Sequence, residues 1–169
     1  SESWFGLGIK SKIPSTLVRR LGPVSELLKR AIATGRCYLY DAGQPLFGSR
    51  PPVEAALAAD VAVHERLSSG TAGLEAALAG IPTLLLDREG WGQSLLYELG
   101  EGRVVFKDWE SLWVEVKRHR LDGMGGMDFG DWKPLLNEID PFRDGLAAQR
   151  MGMYLKWILD GFAAEKSRE

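Results

Sequence analysis

ADVAVHERLSSGTAGLEAALAGIPTLLLD, residues 59–87, contains two short apolar runs separated by a polar turn and a segment of helix-forming residues. The two runs, Asp60–His64 and Thr83–Leu86, have the length and composition of buried strands. Between them, Ala72–Ala79 is rich in helix formers and leads into a Gly-Ile-Pro sequence that stops a helix. The stretch therefore predicts a strand–turn–helix–strand crossover, the unit from which parallel α/β sheets are built.

The turn inside this crossover predicts an anion-binding site. Its small residues are Ser68, Ser69, Gly70, Thr71 and Gly73. The hydroxyl groups can donate hydrogen bonds, the glycines let a ligand approach the main chain, and the N–H groups and dipole of a helix start attract phosphate. Glu75 lies about one helical turn further on, where a carboxylate suits sugar hydroxyls. The alternative is an ordinary capped turn, with Ser or Thr at the N-cap and Glu75 as a solvated acid.

Strands and helices alternate along the chain on both sides of this unit. Further strands are predicted over Trp4–Ile9, Arg36–Tyr40 and Arg103–Phe106. Further helices are predicted over Ser15–Gly35 with a break at Gly22-Pro23, Pro52–Ala59, Ser94–Leu99, Asp108–Leu121, Asp131–Ile139 and Leu146–Phe162. The alternation predicts an α/β fold, a Rossmann-like doubly wound parallel sheet of five or six strands with helices on both faces. We expect one domain, with an α/β core over residues 4–121 and C-terminal helices over 131–162.

The composition restricts the class of protein. A chain of 169 residues with 45% hydrophobic residues suits one core, and a net charge of −2 gives no overall attraction to nucleic acid. One cysteine, Cys37, cannot form an intrachain disulfide, and with two histidines it makes a structural zinc site unfavourable. No apolar run approaches the roughly 18–20 residues that span a bilayer. These features favour the cytoplasm.

Basic residues mark the ends of two predicted elements. Lys10 follows the first strand, where it meets a phosphate if ligands collect at the carboxyl edge of the sheet, or is simply a solvated loop lysine. The helix Asp108–Leu121 carries two tryptophans on one face and ends in the sequence KRHR, residues 117–120. Cations at a helix C-terminus are favoured by the helix dipole. The alternative is peripheral association with anionic lipid at the inner face of the membrane.

The order of Ser69-Gly70-Thr71, Glu75, Gly80-Ile81-Pro82 and the strand Thr83–Leu86 resembles the donor-nucleotide motif of GT-B glycosyltransferases. The resemblance is specific from about residue 58 to residue 102. Within the family, the motif most resembles that of enzymes of bacterial cell-surface polysaccharide synthesis. It implies that the chain binds a nucleotide sugar, of which a UDP-sugar is expected, without a metal or another cofactor. The implied donor contacts are Lys10, Ser68, Ser69, Gly70 and Thr71 on the diphosphate, Glu75 on the ribose, and Asp87 and Gln93 on the sugar.

A complete GT-B enzyme has a second, acceptor-binding domain at its N-terminus, and 169 residues do not hold both. The resemblance therefore implies a donor-binding half that is inactive by itself, with a last helix that packs on the absent domain. The chain begins in Ser-Glu-Ser-Trp-Phe without Met, which favours a processed or truncated start. The catalytic residues are not implied by the matching positions.

Three other functions are weighed against sugar transfer. A UDP-N-acetylglucosamine 2-epimerase has a related fold but needs additional carboxylates and histidines at the cleft. A non-catalytic α/β module that binds a partner or a phosphorylated ligand belongs to a different class, and it is favoured if Glu75 faces away from the turn. An NAD-binding domain is disfavoured because no Gly-x-Gly-x-x-Gly sequence follows the first strand; Gly6 and Gly8 lie inside it.

Overall fold

The computed structural model describes residues 3–40, 50–68, 70–123 and 128–164, except for the side chain of Val18. In these ranges the chain is an α/β protein in which every pairing between named strands is parallel. Its contacts divide it into two units, with the boundary between Trp132 and Lys133. Ser69, one of the predicted phosphate contacts, lies outside the described residues.

The first sheet of the N-terminal unit has two strands. β1 (Leu7–Ile9) pairs with β2 (Cys37–Leu39), and Leu7 lies opposite Cys37. The connection contains α1 (Pro14–Leu21), a short 3-10 turn (Gly22–Val24) and α2 (Ser25–Ala33). The predicted break in this helix is confirmed, because Gly22 has a positive φ of 51° and Pro23 supplies no backbone N–H to continue the ladder.

The second sheet has three strands in the order β3 (Ala62–His64), β4 (Thr83–Leu86) and β5 (Val105–Phe106). α3 (Pro52–Ala56) precedes it, α4 (Thr71–Leu78) connects β3 to β4, and a 3-10 helix (Leu95–Leu99) connects β4 to β5. α5 (Trp109–Leu121) follows β5 and is capped by Asp108, as the sequence predicts. The predicted crossover over residues 60–86 is therefore confirmed. The five described strands form two separate ladders, so one sheet of five or six strands stays a prediction.

β4 is the centre of the second sheet and is buried on both faces. Leu84 and Leu86 lie on one face and form a cluster with Phe106 of β5 and Leu112 of α5. Leu85 lies on the other face, where its Cδ2 is 3.4 Å from the position of a Cβ at Gly73 of α4. Full burial of one such leucine side chain contributes about 1.5–3 kcal/mol. Helices thus cover both faces of β4, as a doubly wound arrangement requires.

Residues 128–132, which we call the strap, are bonded to the start of β4. The Thr83 amide donates a hydrogen bond to the Gly130 carbonyl at 3.2 Å, and the Trp132 indole N–H donates to the Thr83 carbonyl at 2.9 Å. The Gly130 amide donates to the Arg103 carbonyl at 3.3 Å. Because both backbone groups of buried Thr83 are satisfied by the strap, this segment completes β4 where it enters the sheet.

The C-terminal unit contains α6 (Lys133–Ile139) and α7 (Ala147–Ala163). Arg143 and Arg150 stabilise the turn between them through hydrogen bonds to Asn137 and Asp144 respectively. The large apolar side chains of α7 that are exposed are Met151, Met153, Tyr154, Leu155, Trp157, Leu159 and Phe162. Within the described ranges, no helix combines the length and the hydropathy that a membrane span needs.

Candidate functional site

Two chain segments leave the same edge of the second sheet. β3 and β4 run parallel with His64 opposite Leu85, so the turn after His64 and the loop after Leu86 begin side by side. The first segment leads into α4 at Thr71, and the second runs from Asp87 to the N-cap of the 3-10 helix at Ser94. This carboxyl edge is where parallel α/β sheets bind ligands. The structure therefore brings Ser68, Gly70 and Thr71, three of the predicted phosphate contacts, to one edge together with the segment that carries the predicted sugar contacts.

Ser68 binds a carboxylate at this edge. Its backbone N–H donates to Oε2 of Glu89 at 2.9 Å, and its hydroxyl donates to Oε1 at 2.5 Å. These two hydrogen bonds from Ser68 lower the pKa of the Glu89 carboxyl, and the positive charge of Arg66 acts in the same direction. Both side chains are exposed. Two donors from one residue thus converge on one anionic group, which is the geometry that a phosphate oxygen also satisfies.

The start of α4 is not capped by a side chain in the described part of the chain. Gly70 is the N-cap residue, and its carbonyl accepts the first helical hydrogen bond, from Leu74 at 2.9 Å. The predicted alternative of a Ser or Thr N-cap is therefore wrong. Thr71 opens the helix with an exposed side chain. An uncapped start leaves the first-turn N–H groups and the positive end of the helix dipole available to an anion.

Glu75 and Gly73, which both lie in α4, differ in their surroundings. Glu75 is half-buried, and the ribose contact implied for it stays a prediction. Gly73 is buried, and a Cβ placed on it would lie 3.5 Å from both His64 Cβ and the ring of Trp132. The expectation that Gly73 gives a ligand access to the main chain is wrong. Its small size instead lets α4 pack closely on the sheet.

Asp87 anchors the loop that follows β4. Its carboxylate accepts hydrogen bonds from the Tyr97 hydroxyl at 2.8 Å and from the backbone N–H groups of Glu89 and Gly90 at 3.0 and 2.9 Å. Burial alone raises the pKa of Asp87, but these hydrogen bonds outweigh it and the net pKa is lowered. Burial and the neighbouring Asp87 charge raise the pKa of Tyr97 to about 12. The sugar contact implied for Asp87 stays a prediction beside this observed anchoring role.

The loop is fixed at its two ends and exposed between them. Asp87 is 6% exposed and Ser94 is 9% exposed, and the Ser94 hydroxyl accepts a hydrogen bond from the Leu96 amide at 3.3 Å. All residues from 88 to 93 are exposed, and Gly90 has a positive φ of 67°. Gln93 therefore lies in an accessible segment of this loop. Its predicted contact with a donor sugar is not tested by this arrangement.

Lys10 follows β1 and so lies at the carboxyl end of the two-stranded sheet. Its ammonium group donates to the Ser11 carbonyl at 3.4 Å. Since β1 and β2 form a separate ladder from β3, β4 and β5, the strand register does not bring Lys10 to the edge occupied by Ser68. Its role on a diphosphate stays a prediction.

Two residues of the site have no clear signal in the sequence. Glu89 accepts hydrogen bonds from Ser68, which lies 21 residues earlier in the chain. A local sequence pattern does not reveal a contact over such a separation. Tyr97 lies in a short helix where its spacing indicates only packing. The turn Asp87–Gly90 was detectable, because Asp followed by Gly three residues later is typical of a turn in which the carboxylate bonds nearby backbone N–H groups.

The basic end of α5 packs on an aromatic cluster. Trp113 stacks between Trp4 and Trp109, with ring centroids 5.8 and 6.2 Å apart. The guanidinium of Arg120 lies 4.1 Å from the centre of the Trp4 ring, a cation–π arrangement. Arg118 pairs with Glu115 at 2.6 Å. These contacts give the aromatic and basic residues of α5 a structural role, and lipid association stays a prediction.

His119 is the buried histidine of α5 and stacks on Phe129, with ring centroids 3.9 Å apart. Burial lowers its pKa below the ordinary value of 6.5, although the Asp122 charge acts in the opposite direction. A cavity of about 80 Å³ lies beside it and is lined by Gly102, Arg103, Glu115, Arg118, His119, Asp122 and Phe129. Among the predicted donor contacts that the structure describes, none lines this cavity.

Acidification is expected to destabilise the protein through His119. Because the folded pKa is lower than the unfolded one, the unfolded state binds more protons as pH falls below about 6.5. The contribution of neutral His119 is thus fully present above that pH and is lost below it. Thermal unfolding measured between about pH 7.5 and pH 5.5 should show a falling midpoint, and His119→Phe should flatten that slope. An equal slope in the variant would contradict this assignment.

Comparison of the chain with protein-family models, with curated protein sequences and with solved structures gives no match.

Proposed function

We propose that this chain is the nucleotide-sugar-binding half of a GT-B glycosyltransferase that transfers a sugar to a cell-surface glycan or lipid. The proposal combines the motif resemblance over residues 58–102 with one structural observation. Ser68, at the carboxyl edge of a parallel sheet and just before a helix that no described side chain caps, already binds an anionic group through its amide and its hydroxyl. A donor diphosphate is the ligand whose chemistry fits these donors best.

In this proposal the described residues bind and orient the donor. Ser68, Gly70 and Thr71 hold the diphosphate with backbone N–H groups and hydroxyls, and the α4 dipole stabilises the negative charge on the departing nucleotide. Glu75 accepts hydrogen bonds from the ribose hydroxyls. Asp87 fixes the loop from which Gln93 reaches the sugar. The resemblance adds Ser69 and Lys10 to the diphosphate contacts.

The acceptor-binding domain of this enzyme is proposed to pack on α7. Seven large apolar side chains of that helix are exposed, among them Trp157 at 69%. A surface of this kind marks a site of protein contact or of membrane contact. The donor half alone is expected to bind nucleotide weakly and to transfer no sugar, because the acceptor site and the base belong to the other domain.

A non-catalytic ligand- or partner-binding module is the second candidate. The observation that favours it is that the chain itself already bonds two predicted ligand groups, Ser68 through Glu89 and Asp87 through Tyr97. A module of this kind binds an anionic ligand or a partner without turnover. Recognition of a ribose distinguishes the two candidates, because only a nucleotide site requires Glu75.

Replacement of Glu75 by alanine is expected to weaken nucleotide binding by at least about tenfold, since it removes a charged hydrogen-bond acceptor from the ribose. Calorimetric titration with UDP, GDP, CMP and their sugar conjugates measures this effect. Glu98→Ala removes an exposed acid from the 3-10 helix and serves as the matched control. The donor-site proposal fails if no nucleotide binds at millimolar concentration. Binding that survives Glu75→Ala unchanged would favour the non-catalytic module.

A further inference from the structure

The loop after β4 is attached to the turn after β3 through an exposed carboxylate. Asp87 and Ser94 fix its ends, and Glu89 ties its middle to Ser68 through the amide and the hydroxyl. The attachment is made by a carboxylate, which is chemically similar to the anionic group that the proposed site would bind. Glu89 therefore occupies the hydrogen-bond donors that a ligand phosphate requires.

We propose that Glu89 is an internal competitor for the ligand, whose carboxylate leaves Ser68 when a diphosphate binds and thereby releases the loop that carries Gln93. This inference rests on the proposed donor site and describes how that site is regulated. It makes Glu89 a residue that sets affinity and couples binding to loop position. It requires no movement of Asp87, which holds the start of the loop in both states.

Charge and exposure determine the direction of this effect. Two anions cannot share the same pair of donors without strong repulsion, so a bound phosphate and the Glu89 carboxylate exclude one another. The displaced carboxylate is exposed and regains water, and the ligand replaces both hydrogen bonds from Ser68. Gly90, with its φ of 67°, and Gly92, with no atom within 4 Å of an added Cβ, allow the loop to change conformation next to Glu89. Ligand binds only to molecules in which Ser68 is released. The apparent dissociation constant is therefore the intrinsic one divided by the fraction of such molecules.

Calorimetric titration with inorganic pyrophosphate and with UDP tests the competition. Glu89→Gln keeps the size of the side chain but removes its charge, and it should bind both probes about tenfold more tightly than the natural chain if the contact is formed in about nine molecules of ten. Glu65→Gln is the matched control, because it removes an equal charge from an exposed position near the same edge. In a Ser68→Ala background the gain from Glu89→Gln should shrink, because the hydroxyl for which the two anions compete is absent.

Limited trypsin cleavage after the exposed Arg88 gives a readout that does not depend on affinity. Pyrophosphate should raise the cleavage rate of the natural chain and leave the rate of Glu89→Gln nearly unchanged, so each chain is compared only with itself. Equal affinity of the natural chain and Glu89→Gln overturns the competition but leaves the donor site standing. An equal gain in Glu65→Gln overturns it as a general charge effect. Failure of every form to bind either probe removes the donor site and the competition together.

Discussion

Gly130→Ala is expected to be among the most destabilising single substitutions in this protein. Gly130 has a positive φ of 62°, and a Cβ at this position would lie 2.6 Å from the Thr83 amide nitrogen and 2.9 Å from the Pro82 carbonyl carbon. Left-handed backbone costs an alanine roughly 1–2 kcal/mol, and overpacking against fixed atoms typically adds about 1–3 kcal/mol. The sum is a large part of the roughly 5–15 kcal/mol that stabilises an ordinary domain.

Urea unfolding followed by circular dichroism measures this loss for Gly130→Ala. Gly35→Ala is the matched control, because Gly35 has a φ of 71° but no atom within 4 Å of an added Cβ. The control should show only the backbone strain, and the difference between the variants isolates the clash with Thr83 and Pro82. Similar midpoints for the two variants would contradict the packing of the strap on β4.

Trp132→Ala is the second substitution with a large expected effect. The side chain is 3% exposed, its indole N–H donates to the Thr83 carbonyl, and its ring packs where α4 has only a glycine. Removal of a buried tryptophan side chain costs about 3–5 kcal/mol through lost burial and the remaining cavity. The Thr83 carbonyl loses its side-chain donor in the same substitution, which adds to the cost.

Two further variants separate these contributions. Trp132→Phe keeps an aromatic ring but removes the N–H donor. Its free energy of unfolding should therefore fall by about 1–3 kcal/mol. Trp157→Ala removes a tryptophan that is 69% exposed and should change stability by less than about 0.5 kcal/mol. The free energy of unfolding, obtained from urea titrations, is compared among the three. A loss in Trp132→Ala no larger than that in Trp157→Ala would contradict the buried position.

Local signals in the sequence were sufficient for several elements. The strand Thr83–Leu86 and the Asp108 cap of α5 are observed at their predicted residues. The predicted helix Ala72–Ala79 is observed at Thr71–Leu78, one residue earlier. In each case the determinant is a short apolar run, a capping residue or a Gly-Ile-Pro stop, which acts through neighbouring backbone alone.

Contacts between distant residues were not predictable in the same way. Trp132 bonds Thr83 across 49 residues, and Ser68 bonds Glu89 across 21. Neither partner carries a pattern that identifies the other, because such pairs form only when the tertiary fold brings them together. Gly73 illustrates the same limit at one position. The sequence identifies a glycine in a helix but does not indicate whether it faces a ligand or, as here, a tryptophan ring.

The strap completes β4 only late in the synthesis of the chain. Thr83 receives its partners from Gly130 and from Trp132, the latter 49 positions further along the chain, so β4 emerges from the ribosome with both backbone groups of Thr83 unpaired. Contacts between such distant residues form slowly, and an unpaired buried strand is prone to aggregate while it waits. We therefore expect a nascent chain that stalls before Gly130 to be a client for chaperones, because β4 still lacks the residues that complete it.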